Sequence, residues 1–199
     1  MYINLSGLNI LVTGASRGIG KAIATKLAEA GATIAVHYNK NAREAENLIH
    51  VLGNESKAYQ ADLSRKGGAG KWLERVILEL GSIDILINNA GIAKPARLEA
   101  PEDEWLKIWD EVIQVNLNST AVLCKKAIEY FLKKKMAGRI INIASRAAFK
   151  GDQAEYMAYA ASKAGVVSIT KTIASAYGKN GIKAFSIAPG FVKTALFIS

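Results

Sequence analysis

The 199-residue sequence has one cysteine, three prolines and two histidines. Cys124, the single cysteine, cannot form an internal disulfide, which fits the reducing cytoplasm. It lies among apolar residues of a predicted helix, so we expect a buried structural thiol rather than a nucleophile. No apolar run reaches the ~20 residues that a membrane span needs, and the first residues show neither a basic region nor a cleavage site. The sequence therefore predicts a cytoplasmic protein without a membrane segment or signal peptide.

Acidic residues are in the minority, since 17 Asp and Glu stand against 26 Lys and Arg and leave a net charge of +9. Such an excess is compatible with an anionic ligand, an acidic protein partner or nucleic acid. The one tight basic cluster, Lys133–Lys135, lies at a predicted helix end, where cations complement the helix dipole. Neither a zinc-ligand spacing nor an aromatic RNA-binding pattern is present, so we expect no nucleic-acid partner. His37 and His50 fall on different elements without a paired ligand, and we expect no metal site.

Apolar runs alternate with helical stretches along the whole chain. The predicted strands are Asn9–Val12, Ala32–Val36, Lys57–Gln60, Ile83–Ile87, Arg139–Ile143 and Lys183–Ile187. The predicted helices are Lys21–Ala30, Ala42–Leu52, Gly70–Leu80, a long one over Pro101–Lys135, and Tyr156–Lys179. This alternation is typical of an α/β fold in which helices cover both faces of a doubly wound parallel sheet. With no repeat and no linker, we predict a single domain over residues 1–199.

A glycine-rich segment, Thr13–Gly20, joins the first predicted strand to the first helix. Its three glycines, Gly14, Gly18 and Gly20, let the backbone turn sharply and approach a pyrophosphate without an intervening side chain. The helix that follows offers free N–H groups and a positive dipole end to the anion. A tight structural turn would also explain the three glycines. Their position between strand and helix favours a dinucleotide-binding site.

Tyr159 and Lys163 lie four residues apart in a predicted helix, so their side chains project from one face about a turn apart. A tyrosine normally titrates near pH ~10, and a neighbouring cation lowers the pKa of the phenol. Beside a dinucleotide site, the pair fits a proton transfer that accompanies hydride transfer by a nicotinamide. Tyr156 has no lysine four residues on, so we expect it only to border the pocket.

Six motifs, each weak alone, follow one another along the chain: Thr13–Gly20, Asn88–Gly91, Asn116, Ser145, Tyr159 with Lys163, and Pro189–Gly190. In their order and spacing they resemble the motifs of the short-chain dehydrogenase/reductase family, and they are most similar to those of 3-oxoacyl-[acyl-carrier-protein] reductases. The likeness runs from Leu5 to Leu196. The resemblance implies a Rossmann-type fold, an NAD(P)-dependent oxidoreductase that acts on CH–OH groups, and a homo-oligomer, either a tetramer or a dimer. Similar proteins continue with a substrate-covering helical segment, another helix and a seventh parallel strand, which this sequence does not include.

The resemblance also assigns four catalytic roles. Tyr159 would donate the proton to the carbonyl oxygen, while Lys163 would hold the nicotinamide ribose and lower the pKa of the tyrosine. Ser145 would hydrogen-bond the substrate carbonyl, and it follows a predicted strand, where loops face the ligand in open α/β sheets. Asn116 would hold a water that relays protons to Lys163. Asn118 is the competing residue, and the family's asparagine–leucine pair favours Asn116.

The end of the second strand is expected to select between NAD and NADP. A carboxylate there would accept hydrogen bonds from the ribose and repel a 2′-phosphate, but Val36–Asn41 contains no acid. Arg17 and Lys40 offer cations for that phosphate, although a solvated loop residue explains Lys40 equally well. We therefore favour NADPH. The cofactor-binding residues that the motifs and the resemblance imply are Thr13, Gly14, Ser16, Arg17, Gly18, Ile19, Gly20, Asn39, Lys40, Asp62, Leu63, Asn89, Ala90, Gly91, Tyr159, Lys163, Pro189, Gly190, Val192 and Thr194.

Three functions are compatible with these features. The leading one is NADPH-dependent reduction of 3-oxoacyl thioesters of acyl carrier protein, an acidic partner that Arg146 and Lys150 would suit; solvated loop charges explain both cations equally well. The second is a dehydrogenase for a sugar, polyol or other secondary alcohol, because the same catalytic set serves them all. The third is a non-catalytic NADP(H)-binding protein. The intact catalytic set speaks against the third function, and the absence of the C-terminal substrate segment speaks for it.

Overall fold

A computed structural model describes residues 3–192 of the chain. Six strands form one parallel sheet in the order β3-β2-β1-β4-β5-β6. They are β1 Asn9–Val12, β2 Thr33–Tyr38, β3 Lys57–Gln60, β4 Ile85–Asn88, β5 Gly138–Ile143 and β6 Ile182–Ile187. The first three strands extend the sheet in one direction from its middle and the last three extend it in the other. The predicted doubly wound parallel sheet is therefore confirmed.

Seven α-helices connect or follow these strands in the described residues. They are α1 Gly18–Glu29, α2 Ala42–Leu52, α3 Gly68–Leu80, α4 Glu102–Ile113, α5 Ser119–Lys134, α6 Ala147–Lys150 and α7 Met157–Tyr177. A π-helical turn, Gln114–Asn118, lies between α4 and α5, so the long helix predicted over this region is not uniformly α-helical. Short 3₁₀ turns at Ala154–Tyr156 and Gly178–Asn180 precede and follow α7. Over residues 3–192, no helix combines the length and the apolar character needed to cross a bilayer.

Helices cover both faces of the sheet because successive strand side chains point to opposite sides. On one face, α1 and α2 contribute Ala24 and Leu48 to an apolar cluster. On the other, α3, α5 and α7 contribute Leu73, Phe131 and Ile173 to a second cluster. The strands are buried on both sides, which explains why they read as nearly continuous apolar runs.

A polar seam crosses the second cluster and links β4 and β5 to the helices above them. The Asn88 side-chain amide donates to Asn142 Oδ1 at 2.8 Å and to Cys124 Sγ at 3.3 Å. The Asn142 amide in turn donates to Thr170 Oγ1 of α7 at 2.8 Å. Burial raises the pKa of the Cys124 thiol to about 12, so the group stays protonated. The prediction of a buried cysteine is confirmed.

Parallel strands place their carboxyl ends at one edge of the sheet, and the order reverses between β1 and β4. In open α/β sheets, ligands bind in the crevice outside such a reversal. The loops after β1 and β4, which begin at Thr13 and Asn89, therefore flank the expected binding position. That a single domain covers the whole chain stays a prediction.

Candidate active site

A cleft of about 1360 Å³ lies at the carboxyl ends of the strands, and the loops after all six strands contribute to its walls. Most of the predicted site residues line this one cleft: Gly14, Ser16, Arg17, Gly18, Ile19, Asn39, Lys40, Asp62, Leu63, Asn89, Ala90, Gly91, Ser145, Tyr159, Lys163, Pro189, Gly190 and Val192. Three others, Thr13, Gly20 and Asn116, are buried beside it without lining it. Thr194 lies outside the described residues.

The glycine turn is shaped by close backbone contacts. Gly14 has a φ of +63°, and a Cβ there would lie 2.9 Å from the Cα of Ala90. A Cβ at Gly20 would lie 2.3 Å from the Gly14 carbonyl oxygen and 2.5 Å from Asn89 Nδ2. Gly14 therefore lets the turn pass close to the β4 loop, and Gly20 lets α1 begin directly beneath it. The first amides of α1 have no partner within the helix, so the glycine turn and the start of α1 together fit an anionic phosphate group.

Thr13 and Asn89 fasten this turn to the loop after β4. The Thr13 hydroxyl oxygen accepts hydrogen bonds of 2.9 Å from the backbone amides of Asn89 and Ala90. The Asn89 side-chain amide donates to the carbonyl oxygens of Thr13 and Gly14 at 2.9 and 3.1 Å. Thr13 therefore acts from below the turn, which explains why it is 1% exposed and does not line the cleft.

The far end of the cleft, beside β2 and β3, combines cations with one carboxylate. Arg17 and Lys40 are exposed and line this end. Asp62 accepts hydrogen bonds from the Ser64 hydroxyl at 2.6 Å and from the Ser64 amide at 3.0 Å. The bond from the hydroxyl is the main cause that holds the pKa of Asp62 below its usual value, so the group is an anion at neutral pH.

At the opposite end, Tyr159 and Ser145 share one wall. Tyr159 lies in the first turn of α7 and is 4% exposed, and Ser145 lies in the loop after β5. Burial raises the pKa of Tyr159, a hydrogen bond from Ser145 lowers it in part, and the charge of Asp152 raises it further. The Lys163 ammonium lies 5.8 Å from the centroid of the tyrosine ring. The predicted lowering of the pKa of this phenol is wrong for this structure, because burial, the largest influence, raises it overall.

Lys163 forms the buried floor of the cleft next to Tyr159. Its Nζ donates a 2.8 Å hydrogen bond to the Ile143 carbonyl oxygen. A Cβ built on Gly91 would lie 3.4 Å from this nitrogen and 3.2 Å from Asn116 Oδ1, so the loop after β4 fits closely over both groups. Burial lowers the pKa of Lys163 from its usual 10.5 to about 8.

Asn116 lies in the π-helical turn and is 1% exposed. Its Oδ1 accepts from the Ile92 amide at 2.8 Å, and its Nδ2 donates to the Ile92 carbonyl at 2.9 Å and to Ser162 Oγ at 3.0 Å. The side chain thus ties the loop after β4 to α7 beside Lys163. The water-holding role predicted for Asn116 stays a prediction.

The loop after β6 is held against the loop after β5. The Arg146 amide donates to the Pro189 carbonyl at 3.2 Å, and the Arg146 guanidinium lies 3.8 Å from the centroid of the Phe191 ring. Lys150 lines the cleft on the same side. These contacts place two cations at the rim of the cleft near Ser145.

Among the residues that line the cleft, sequence reasoning missed several with polar or aromatic side chains, including His37, Glu111, Asp152 and Phe191. His37 lies near the carboxyl end of β2, and that position was the available signal, because ligands bind at such ends. Glu111 forms an ion pair with Lys94 at 2.6 Å across α4 and the loop after β4, a pairing that no sequence spacing indicates. No spacing signal marks Asp152, which lies seven residues before Tyr159. Within residues 3–192, no three His, Cys, Asp or Glu side chains are grouped so that they could hold a metal ion.

The fold and this cleft define an oxidoreductase of the nucleotide-binding α/β class. The chain belongs to the short chain dehydrogenase family, which matches residues 8–199, and the resemblance seen in the motifs is confirmed. It is 36% identical over 201 residues to the 3beta-hydroxysteroid dehydrogenase 1 of Eggerthella lenta, covering 98% of this chain and 75% of that protein. It is 37% identical over 187 residues to a 3-oxoacyl-[acyl-carrier-protein] reductase of Synechocystis, covering 92% of this chain and 74% of that protein.

Solved structures show the same fold. A dehydrogenase/reductase from Sinorhizobium meliloti superposes with a TM-score of 0.87 at 33% identity, over 98% of this chain and 76% of that one. A candidate NAD(P)-dependent gluconate 5-dehydrogenase from Beutenbergia cavernae, with NADP bound at low occupancy, also has a TM-score of 0.87 at 35% identity, over 98% of this chain and 77% of that one.

Proposed function

We propose that the protein reduces a carbonyl to a secondary alcohol with NADPH, and that a 3-oxoacyl thioester of acyl carrier protein is the leading substrate. The observation that carries the proposal is that Ser145, Tyr159 and Lys163 line the same cleft as the glycine turn at Gly14. A proton donor and a phosphate-binding turn therefore share one continuous space, as a dinucleotide-dependent reduction requires.

The residues of the chain divide the chemistry among them. The nicotinamide coenzyme supplies the hydride when it is bound. Tyr159 donates its phenolic proton to the substrate oxygen, and burial, which raises the pKa of the phenol, keeps that proton in place at neutral pH. Ser145 donates a hydrogen bond to the same substrate oxygen and stabilises its developing negative charge. Lys163 binds the ribose hydroxyls from the floor of the cleft, and Asn116 orders the backbone beside it.

NADPH is favoured over NADH by the charges at the far end of the cleft. Arg17 and Lys40 are the cations that would face a 2′-phosphate, and Val36–Asn41 provides no carboxylate to repel it. The Beutenbergia cavernae relative, whose structure contains NADP, supports the same preference. Asp62 and Leu63 would bound the adenine, and the glycine turn would bind the pyrophosphate.

The rim of the cleft supports an acidic carrier as the partner that presents the substrate. Arg146 and Lys150 are exposed on the side of Ser145, where a carrier protein would approach. Complementary charge accelerates such encounters and favours the correct partner. The Synechocystis relative is a reductase of this substrate class.

A second candidate is a dehydrogenase for a sugar, a polyol or another hydroxylated compound. Glu111, Asp152 and Gln153 line the substrate side of the cleft and would accept hydrogen bonds from substrate hydroxyls.

A non-catalytic NADP(H)-binding role is disfavoured because Ser145 and Tyr159 are both in place. We further infer that the protein acts in the cytoplasm and that it forms a homo-oligomer, a dimer or a tetramer. The exposed Leu106 and Leu132, which leave apolar surface on α4 and α5, support the oligomer.

The test is oxidation of NADPH by the purified chain with a 3-oxoacyl thioester, the same acyl group on acyl carrier protein, a keto-sugar acid and a 3-keto steroid. The proposal expects turnover of the thioester, with a lower KM when the carrier protein presents it. Turnover of the keto-sugar acid alone would favour the second candidate. Tight NADPH binding without turnover of any ketone would overturn both enzyme assignments.

A further inference from the structure

His37 is a buried histidine on the nucleotide side of the cleft, and the reaction proposed above does not use it. It lies near the carboxyl end of β2, is 2% exposed and contributes to the wall of the cleft. Its Nδ1 accepts a 2.9 Å hydrogen bond from the backbone amide of Gly14. Its Nε2 lies 3.2 Å from the carbonyl oxygen of Ala61. One imidazole thus bridges two loops that are far apart in sequence.

These two contacts determine the tautomer of the ring. A backbone amide can only donate, so Nδ1 must carry no proton where it faces Gly14. A carbonyl oxygen can only accept, so the ring proton is on Nε2, where it faces Ala61. The neutral imidazole therefore satisfies both neighbours, whereas the protonated ring would place a proton against the Gly14 amide. Burial lowers the pKa of His37 to about 4, which agrees with a ring that stays neutral.

A second set of contacts holds the ring in its orientation. The Trp72 indole of α3 meets the imidazole edge to face, with ring centroids 4.9 Å apart and an interplanar angle of 70°. The His37 carbonyl oxygen also accepts a 2.9 Å hydrogen bond from the Ala15 amide. Backbone and side chain of one residue therefore both hold the glycine turn.

The two loops that His37 joins are the ones expected to bind the two halves of the adenine nucleotide. Gly14 belongs to the turn that would face the pyrophosphate, and Ala61 directly precedes Asp62 and Leu63, which would bound the adenine. We propose that His37 is a positioning residue for the coenzyme, which keeps these two loops at the separation that a bound dinucleotide needs. The inference rests on the proposed coenzyme. It extends that proposal, because it assigns the affinity for the nucleotide in part to a residue outside the phosphate-binding motif.

The proposed roles of His37 and Arg17 differ in their effect on the binding of NADPH and NADH. Arg17 would act on the 2′-phosphate, which only NADPH carries, whereas the pyrophosphate and the adenine are common to NADPH and NADH. Loss of the His37 contacts should therefore weaken the binding of both coenzymes equally. The turnover number at saturating coenzyme should change little, because His37 is remote from Ser145 and Tyr159, at the other end of the cleft.

The experiment compares His37→Phe and His37→Asn with the wild-type chain. Phenylalanine keeps a ring against Trp72 but leaves the Gly14 amide and the Ala61 carbonyl unpaired, while asparagine keeps an acceptor near the Nδ1 position. We expect His37→Phe to raise the Kd for NADPH and for NADH by about 10- to 100-fold each, and His37→Asn by a smaller factor. Amide hydrogen exchange gives a readout without coenzyme: the Gly14 amide should exchange fastest in His37→Phe and at an intermediate rate in His37→Asn.

The control is His50→Phe, because His50 is a histidine exposed on α2. This variant should bind both coenzymes like the wild type. The inference is overturned if His37→Phe binds both coenzymes normally, if it loses NADPH alone, or if kcat falls while coenzyme affinity holds. If His37→Phe does not fold, the exchange rate and the affinities of His37→Asn decide in the same way. A wild-type chain that binds neither NADPH nor NADH would instead refute the proposed function, and the inference with it.

Discussion

The ammonium of Lys163 donates a 2.8 Å hydrogen bond to the carbonyl oxygen of Ile143, the last residue of β5. This bond ties α7 to the sheet below the cleft and holds a cation where only 5% of the residue is exposed. A buried amine binds its proton more weakly than an amine in water. The pKa of about 8 therefore makes both protonation states of Lys163 available near neutral pH.

The first prediction concerns stability and pH in the coenzyme-free protein. The pKa of Lys163 is about 8 in the folded chain and 10.5 in the reference state, so between these values the unfolded chain binds more protons. The free energy of unfolding should therefore rise as the pH is raised from about 8 to about 10.5, by about 3 kcal/mol from this group. Lys163→Met removes the titration. Denaturant unfolding of both chains at several pH values should show the difference changing across that window, and curves that stay parallel would contradict the assignment.

The second prediction concerns the proton donor. Tyr159→Phe removes the phenolic proton but keeps the ring, so we expect turnover to fall by about 10²- to 10⁴-fold with NADPH affinity nearly unchanged. Tyr156→Phe is the matched control, because this tyrosine also lines the cleft but has no lysine one turn further on. Steady-state kinetics and coenzyme titration check both variants. Retention of wild-type turnover by Tyr159→Phe would refute the mechanism.

The third prediction concerns coenzyme choice. Arg17→Gln removes the cation best placed for a 2′-phosphate, and loss of a charge-assisted hydrogen bond should weaken NADPH binding by about 10- to 100-fold. The affinity for NADH should stay within about twofold of the wild type. Lys21→Gln, an exposed lysine of α1 that does not line the cleft, is the charge-matched control. Equal weakening of both coenzymes in Arg17→Gln would count against NADPH as the preferred coenzyme.

The fourth prediction concerns the packing of the glycine turn. In Gly20→Ala, the new methyl group would lie 2.3 Å from the Gly14 carbonyl oxygen, so we expect a loss of about 1–3 kcal/mol in the free energy of unfolding and weaker coenzyme binding. Gly68→Ala is the control: it is also in a helix, and nothing lies within 4 Å of its Cβ position. This control should change stability by no more than about 1 kcal/mol. Denaturant unfolding of the two variants would disprove the argument if their stabilities did not differ.

Much of the fold follows from the sequence because apolar patterning reports burial directly. All six predicted strands are present, but their ends moved: β2 runs to Tyr38 rather than Val36, and β4 begins at Ile85 rather than Ile83. Strand ends depend on which backbone groups find partners, and hydrophobic patterning does not report this.

The site residues that belong to recognisable sequence motifs could be predicted. Ser145, Tyr159 and Lys163 do line one cleft, yet the pKa of Tyr159 moves opposite to the prediction. Sequence spacing gave the proximity of a cation, whereas burial, which dominates the pKa, depends on the packing of the whole cleft. The contacts of His37 could not be predicted for a related reason. Its partners Gly14 and Ala61 lie 23 and 24 residues away and contact it only in the folded chain.

The π-helical turn at Gln114–Asn118 changes the rotation of α5 relative to α4 about their common helix axis. An α-helix rotates about 100° per residue, and a π-type turn, with its i→i+5 hydrogen bond, accommodates one extra residue. Deleting one residue here would regularise the helix but rotate all of α5 by that angle, carrying Leu123 and Phe131 away from the apolar cluster they fill. The irregularity therefore allows one continuous helix to hold Asn116 beside the cleft and also to present the apolar side chains of α5 to the sheet.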